Sequence, residues 1–347
     1  MTYWDSIKNI AKELPIKDGN ILITGATGLI GSCIIDILTY ANESLHSNFH
    51  IYAMSRSMEK IKKRFANKVF PVIQDICQPL EMEISYDYIF HAASNADPEI
   101  YATRPAETIF TNVVGIKNVL DYCEIHRNTK LLFMSTFEVY GRIEGKSTYT
   151  EDVSGVIDFH RLRNAYPESK RCAELMLLGY VEKYGIDAKI VRLASVYGPT
   201  MLKNDSKAHA QFIRKAVAGK DIVLKSKGLQ RRTYCYLIDA VSAMFTVLFC
   251  GKIGEAYNIA NENSIASIAE VAEVCASIAH THVVFENPTQ IESKGFSTPQ
   301  DCILENKKLK ALGWNGKYNL VDGMLETIET IKILEKKLKG NSSTEYS

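Results

Sequence analysis

Ile21-Leu22-Ile23-Thr24-Gly25-Ala26-Thr27-Gly28-Leu29-Ile30-Gly31 is the stretch on which the reading of this chain turns. A short apolar run ends in glycines at every third position, and apolar residues at helical spacing come next at Ile34, Ile35, Ile37 and Leu38. The pattern predicts a strand, a tight turn and the start of a helix. Such a turn is a phosphate-binding device. Glycines let the backbone approach a pyrophosphate, and the helix N-terminus aims its free N–H groups at the anion. On its own a glycine triplet marks only a tight turn, so its weight depends on matching elements later in the chain.

Downstream, apolar runs alternate with helical patterns. Strands are expected at 49–54 (ending in Ser55-Arg56-Ser57), at 70–76 with Asp75 at the tip, at 86–94 and at 130–135. A helix is expected around 106–127, a second from Asn164 to about Lys183, and a strand at 188–193. Strands alternating with helices argue for a parallel, doubly wound α/β sheet. An amphipathic helix over residues 1–19, with Trp4, Ile7, Ile10 and Leu14 on one face, leads into it. Beyond Gly198-Pro199 the alternation breaks. Helical patches near 207–218, 239–250, 267–279 and 319–336 mix with short strands at 222–225, 256–259 and 282–285. The expected organisation is a dinucleotide-binding domain over 1–198, a smaller mixed α/β lobe over 199–339 and a disordered polar tail over 340–347. The strand at 256–259 is a candidate to return to the main sheet.

With 347 residues, 46% hydrophobic and 23% charged, the composition is that of a globular protein. A net charge of +1 without a basic block excludes a nucleic-acid partner as an expectation. No run approaches the roughly 20 apolar residues of a membrane span, and the first residues lack a signal-peptide pattern. The eight cysteines are scattered without a Cys-x-x-Cys pair, which reads as reduced thiols in a cytoplasmic protein. His280-Thr281-His282 has no further ligand cluster nearby in the sequence, so no metal is expected. Trp314 reads as a packing anchor.

Tyr166-Pro167-Glu168-Ser169-Lys170 places a phenol and an amine four apart on one helical face. A phenol is a poor base at neutral pH, and a nearby cation favours the phenolate. Ser135-Thr136 ends a strand, at the sheet edge where ligands bind in this architecture. Hydroxyl, tyrosine and lysine together suit removal of a hydride and a proton from a carbinol. As a bare pair, Tyr and Lys at this spacing also describe an ordinary surface contact.

These segments together resemble the extended short-chain dehydrogenase/reductase superfamily, in its nucleotide-sugar epimerase, dehydratase and decarboxylase branch. The resemblance rests on Gly25-x-x-Gly28-x-x-Gly31, Thr136-Phe137-Glu138-Val139-Tyr140-Gly141, Tyr166-x-x-x-Lys170, Asn112-Val113-Val114-Gly115, Arg192 to Pro199, and Gly228-Leu229-Gln230-Arg231-Arg232 with Asp239. It implies a Rossmann-type fold and a likeness of function along almost the whole chain. Gly25, Thr27, Gly28, Leu29 and Ile30 are then expected on the cofactor pyrophosphate. Asp75 and Ile76 are expected at the adenine, and Ala92, Ala93, Ser94 and Val196 along the cofactor cleft. Tyr166 takes the proton of the sugar 4-hydroxyl, Lys170 lowers the tyrosine pKa and binds the nicotinamide ribose, and Thr136 hydrogen-bonds the reacting oxygen. Arg232 suits the substrate diphosphate because its fork matches paired oxygens, and Phe137 and Ser195 belong to the sugar pocket.

Within the branch, His91-Ala92-Ala93-Ser94-Asn95-Ala96-Asp97-Pro98 with Tyr101 and Pro105, and Glu138 after the threonine, most resemble UDP-glucuronate decarboxylases. Dehydratases share the glutamate but usually precede it with Asp or Ser, whereas Phe137 carries no transferable proton. Decarboxylation needs no such acid, because a 4-keto uronate is a β-keto acid. Ser195 stands where relatives usually have asparagine, and Thr298-Pro299-Gln300-Asp301 where many carry a second diphosphate arginine. Ser55 and Arg56 replace the usual ribose-binding aspartate, so both NAD and NADP stay open, with NAD first. A nucleotide-diphosphate sugar is the expected partner and a homodimer the expected assembly. The alternatives are a 4,6-dehydratase or 4-epimerase and, on the same fold, a non-catalytic NAD(P)-sensing protein.

Overall fold

In the computed structural model, residues 2–296 and 300–342 are described. The strand Asp18–Thr24 pairs in parallel on both sides, with Asn48–Ser55 in register from Asp18↔Asn48 and with Tyr88–His91 from Ile21↔Tyr88. Outward from it the sheet has seven strands in the order 256–259, 187–193, 130–136, 88–91, 18–24, 48–55, 70–73. All its pairings are parallel. Chain order reverses between 18–24 and 88–91, which opens a crevice at the carboxyl ends of those two strands.

The near-continuous apolar runs result from burial on both faces. Ile21, Ile23, Phe90, Leu132, Met134 and Val191 face one core. Their neighbours Leu22, Ile89, Leu131, Phe133 and Ile190 face a second. The first core is covered by helices Leu29–Ser44 and Leu237–Cys250, the latter setting Phe245 edge-on to Phe90 at 5.4 Å. The second is covered by Pro105–Ile125 and Ala165–Tyr184, which supply Ile116, Val119, Leu120, Ala173 and Leu177. Each fully buried side chain of this size is worth roughly 1.5–3 kcal/mol. The N-terminal helix Tyr3–Glu13 starts with a Thr2–Asp5 capping box, and Tyr3 donates to Asp36 at 2.8 Å.

The strand Ala256–Ile259 does return to the main sheet, pairing from Ala256↔Ile190. The remaining C-terminal elements form smaller sheets, and these ignore a boundary at 198. Ser195–Tyr197 pairs in parallel with Tyr234–Tyr236, and Thr148–Tyr149 with Ile303–Leu304. Long-range pairing drew these short segments together, and they carry too few residues for a sequence period. The last helix, Leu320–Ser342, runs past the 319–336 expected for it and into the expected tail, since a nucleated helix extends at little cost per residue. Residues 343–347 of the expected tail lie outside the described residues. Trp314 is buried and donates from Nε1 to Ser242 at 2.9 Å. Among the described residues no helix is long and apolar enough to cross a membrane, and no group of His, Cys, Asp or Glu side chains is placed to hold a metal.

Candidate active site

The glycine turn lies at the crevice. Gly25 has φ +67°, and a Cβ there would meet the backbone of Ala92 and Ala93 at 2.9 Å. This close approach pulls the first turn against the end of the strand Tyr88–His91, and only glycine permits it. Thr24 ties the same two strand ends together: its hydroxyl meets His91 Nδ1 at 2.9 Å and accepts the Ala93 N–H at 3.1 Å. A Cβ at Gly31 would come within 2.6 Å of the Gly25 carbonyl, so the helix Leu29–Ser44 sits tight on the turn. Gly28 caps that helix without a side-chain hydrogen bond, which leaves the N-terminal N–H groups open to an anion. This cradle, which a Cβ would fill, fits a dinucleotide pyrophosphate.

At the neighbouring strand tips, Asp75 accepts the Cys77 N–H at 2.9 Å and lies 3.8 Å from Arg56. Arg56 comes after Ser55 at the end of its strand and is exposed. The Ile76 carbonyl accepts from Asn118 at 2.8 Å, and the Ile76 side chain packs where a Cβ on Gly115 would stand. Ser94 donates to Asn112 at 2.8 Å, Asn112 to Ser169 at 2.8 Å, and Ser169 to the Tyr166 carbonyl at 2.9 Å. That relay fixes the cleft wall to the first turn of the helix carrying Tyr166.

Thr136 closes the strand Lys130–Thr136 and caps a short 3-10 turn over Phe137–Tyr140, accepting the Glu138 N–H at 3.2 Å. Strand alternation sends Ser135 the other way, onto Glu174, which pairs with Arg192 at 2.8 Å. The Thr136 side chain acts on Tyr166 to favour the phenolate. Burial raises the Tyr166 pKa, the Glu138 charge raises it further, and Thr136 and Arg163 oppose the rise. In the protein alone burial prevails, so the phenol is held neutral. Lys170 is buried, donates to the Met134 carbonyl at 2.8 Å and lies 4.7 Å over the Phe133 ring. Burial lowers its pKa to about 7 against the pull of Glu174. The expected lowering of the tyrosine by the lysine is therefore absent from the protein alone, where desolvation acts on both groups.

Two side chains beside Tyr166 complete the constellation. Tyr101, on the helix Pro98–Thr103, stacks on the Tyr166 ring at 4.9 Å with planes 11° apart. Arg163 ion-pairs with Glu138 at 2.8 Å and donates to the Tyr101 hydroxyl at 2.9 Å. On the other side of Thr136, the Arg232 guanidinium lies over the Phe137 ring at 5.6 Å. Arg232 and Tyr234 share one face of their strand, Tyr234 pairs with Ser195, and His209 meets Tyr234 edge-on at 5.9 Å. Val196 is next to Ser195 in the same buried strand. Thr298 and Pro299 lie outside the described residues. Gln300 donates to the Gly141 carbonyl at 3.0 Å, and Asp301 accepts the Arg231 N–H at 2.7 Å.

Thr136, Phe137, Glu138, Tyr166 and Lys170 thus converge from the ends of one strand and one helix, and Arg232 reaches the same place from the strand Arg231–Tyr236. Arg163 and His209 were not anticipated. The one signal for Arg163 was its position three before Tyr166, just outside the helical face. His209 had no signal, because its partner lies on another element.

A doubly wound parallel sheet with a glycine cradle at its switch point, and a hydroxyl, phenol and amine at the adjoining strand end, defines a dinucleotide-dependent enzyme. Residues 21–260 match the profile of the NAD dependent epimerase/dehydratase family, and the chain belongs to that family. It is 30% identical over 307 residues to UDP-glucuronic acid decarboxylase 6 of Arabidopsis thaliana, covering 88% of this chain and 86% of the relative. Its fold is similar to that of dTDP-glucose 4,6-dehydratase from Bacillus anthracis in complex with NAD (TM-score 0.76, 22% identity, 91% and 97% of the two chains covered). It is similar also to UDP-glucuronic acid 4-epimerase from Bacillus cereus in complex with UDP-glucuronic acid and NAD (TM-score 0.73, 21% identity, 91% and 99% covered).

Proposed function

We propose that this chain oxidises a nucleotide-linked hexuronate, in the first instance UDP-glucuronate, at C4 and releases its carboxyl group as CO2. The observation that carries the reading is Phe137. It lies next to Thr136 at the reacting centre, presents a ring to Arg232, and has no proton to give a leaving C6 hydroxyl. Loss of CO2 needs no such donor. The sequence likeness to a UDP-glucuronic acid decarboxylase supports the same reading.

NAD, when bound, supplies a positively charged hydride acceptor. Gly25, Thr27, Gly28, Leu29 and Ile30 hold its pyrophosphate, Asp75 and Ile76 the adenine end, Ser55 and Arg56 the adenosine ribose, and Ala92, Ala93, Ser94 and Val196 the cleft. Tyr166, as the phenolate that the positive charge of a bound cofactor would favour, accepts the 4-hydroxyl proton as the C4 hydride departs, Thr136 holds that oxygen, and Lys170 would bind the nicotinamide ribose. With C4 a ketone, the C5–C6 bond breaks, its electron pair moves onto the 4-keto oxygen as an enolate, and CO2 leaves. Protonation at C5 restores the ketone, which is then reduced or released. Arg232 holds the diphosphate, while Ser195 and Phe137 shape the sugar pocket. Glu138 joins Thr136, Tyr166 and Lys170 in the catalytic set, beside the sugar.

Two further readings belong to the same proposal. Ile109, Phe110, Leu175 and Leu178 are exposed on the two helices that cover one sheet face, and we assign them to a homodimer contact. A cytoplasmic location suits an enzyme using soluble nucleotide sugars. Light scattering tests the first, and fractionation of cells the second. For the reaction, incubation with NAD and either UDP-glucuronate or neutral nucleotide hexoses is read by product mass. Loss of CO2 from the uronate is expected. Loss of water from a hexose with the uronate untouched overturns the reading, as does an unchanged mass with inverted C4.

A further inference from the structure

Arg163 belongs to none of the roles above. It sits in the 3-10 turn Leu162–Asn164, and only 6% of its surface is exposed. One nitrogen, Nη2, donates to both Glu138 oxygens at 2.8 and 3.2 Å and to the Tyr101 hydroxyl at 2.9 Å. Its guanidinium carbon lies 5.1 Å over the Tyr101 ring, which in turn stacks on Tyr166. Its Nε is buried without a hydrogen-bond partner among the described residues. A buried arginine that leaves a donor unsatisfied is held for its charge, since packing alone is served better by an apolar side chain.

We propose that Arg163 is a positioning residue of this site: it orients Glu138 and the Tyr101–Tyr166 stack, and it cancels the Glu138 charge so that a sugar bearing its own carboxylate can enter. The second half of this inference rests on the uronate reading, and the first half does not. Without Arg163, Glu138 is an unbalanced anion at the reacting centre. That anion repels a uronate, and it opposes ionisation of the phenol. The charged and titratable groups facing Tyr166 are Glu138 from the turn after Thr136, Arg163 from the 3-10 turn, Tyr101 from Pro98–Thr103, and Lys170 on its own helix.

The test compares NAD-loaded wild type with Arg163→Met, Arg163→Lys and the double variant Arg163→Met/Glu138→Gln. Each is measured for the pH dependence of kcat/KM on whichever nucleotide sugar the wild type turns over. Arg163→Met should move the acid limb about one unit to higher pH, the scale of one neighbouring charge. The double variant should return it to the wild-type position, because the unbalanced carboxylate is gone. Arg163→Lys should keep the limb and lose about tenfold or more in kcat, because the charge stays while the planar group that lies over the Tyr101 ring and reaches Glu138 is lost. In titration calorimetry, Arg163→Met should weaken UDP-glucuronate more than UDP-glucose. A purely structural arginine predicts a lower melting temperature with the limb unmoved in every variant, and that result overturns the proposal. Should Arg163→Met fail to fold, a shifted limb in Arg163→Lys or in the double variant overturns it equally. A wild type acting only on a neutral hexose removes the uronate reading, and the pH limb on that hexose still decides the positioning role.

Discussion

Replacing Lys170 with methionine separates the charge of this residue from its bulk. In the cofactor-free protein the amine is buried, with one hydrogen bond to the Met134 carbonyl and the Phe133 ring beneath it. Burial lowers its pKa from the ordinary 10.5 to about 7. The native state therefore binds fewer protons than the unfolded state between about pH 7 and pH 10.5. Stability must rise with pH across that window, because the unfolded chain holds the extra proton. At about 1.4 kcal/mol per unit, and less close to the folded pKa, the lysine contributes about 2 kcal/mol of increasing stability between roughly pH 7 and pH 9. Methionine fills a similar volume and does not titrate. Denaturant or thermal unfolding of both proteins across this range, without NAD, isolates the effect, since the other titrating groups cancel in the difference. Wild type should gain on the variant as pH rises, and the variant should be the more stable partner at the acid end. Parallel pH curves would refute the buried, depressed amine. In activity assays the same variant should lose turnover and move its pH–rate profile to higher pH.

Tyr166→Phe should keep cofactor and substrate binding and lower turnover by about two or more orders of magnitude, the scale of a lost general base; near-normal turnover removes Tyr166 from the chemistry. Gly25→Ala forces a side chain into positive φ and against the Ala92 and Ala93 backbone, so it should destabilise the fold by about 1–3 kcal/mol and abolish NAD binding as read by titration. Arg56→Ala should weaken NADP more than NAD if the exposed guanidinium reads a 2′-phosphate, and equal affinities before and after exclude that role.

Local sequence was sufficient for the long elements of the first half of the chain, though not for the short helices Met58–Phe65 and Pro98–Thr103. The glycine triplet, the apolar runs and the Tyr166–Lys170 spacing each depend on residues close in sequence, and the strand–helix period survives wherever an element is long. The glycine cradle is legible for the same reason, because Gly25, Gly28 and Gly31 form it within seven residues of chain. Tertiary structure alone decided the rest. Ser195–Tyr197 and Arg231–Tyr236 became partners across more than thirty residues, a pairing that short strands do not announce. Arg232 found Phe137 from a strand far along the chain, and Arg163 found Glu138 and Tyr101 across turns that have no period. The pKa values belong to this second kind of information. The spacing of Tyr166 and Lys170 implied a phenol poised by an amine, yet both are buried to a depth that no spacing encodes. Desolvation grows with everything packed around a group; it holds the phenol neutral and brings the amine down to a pKa of about 7 until other charges enter the site.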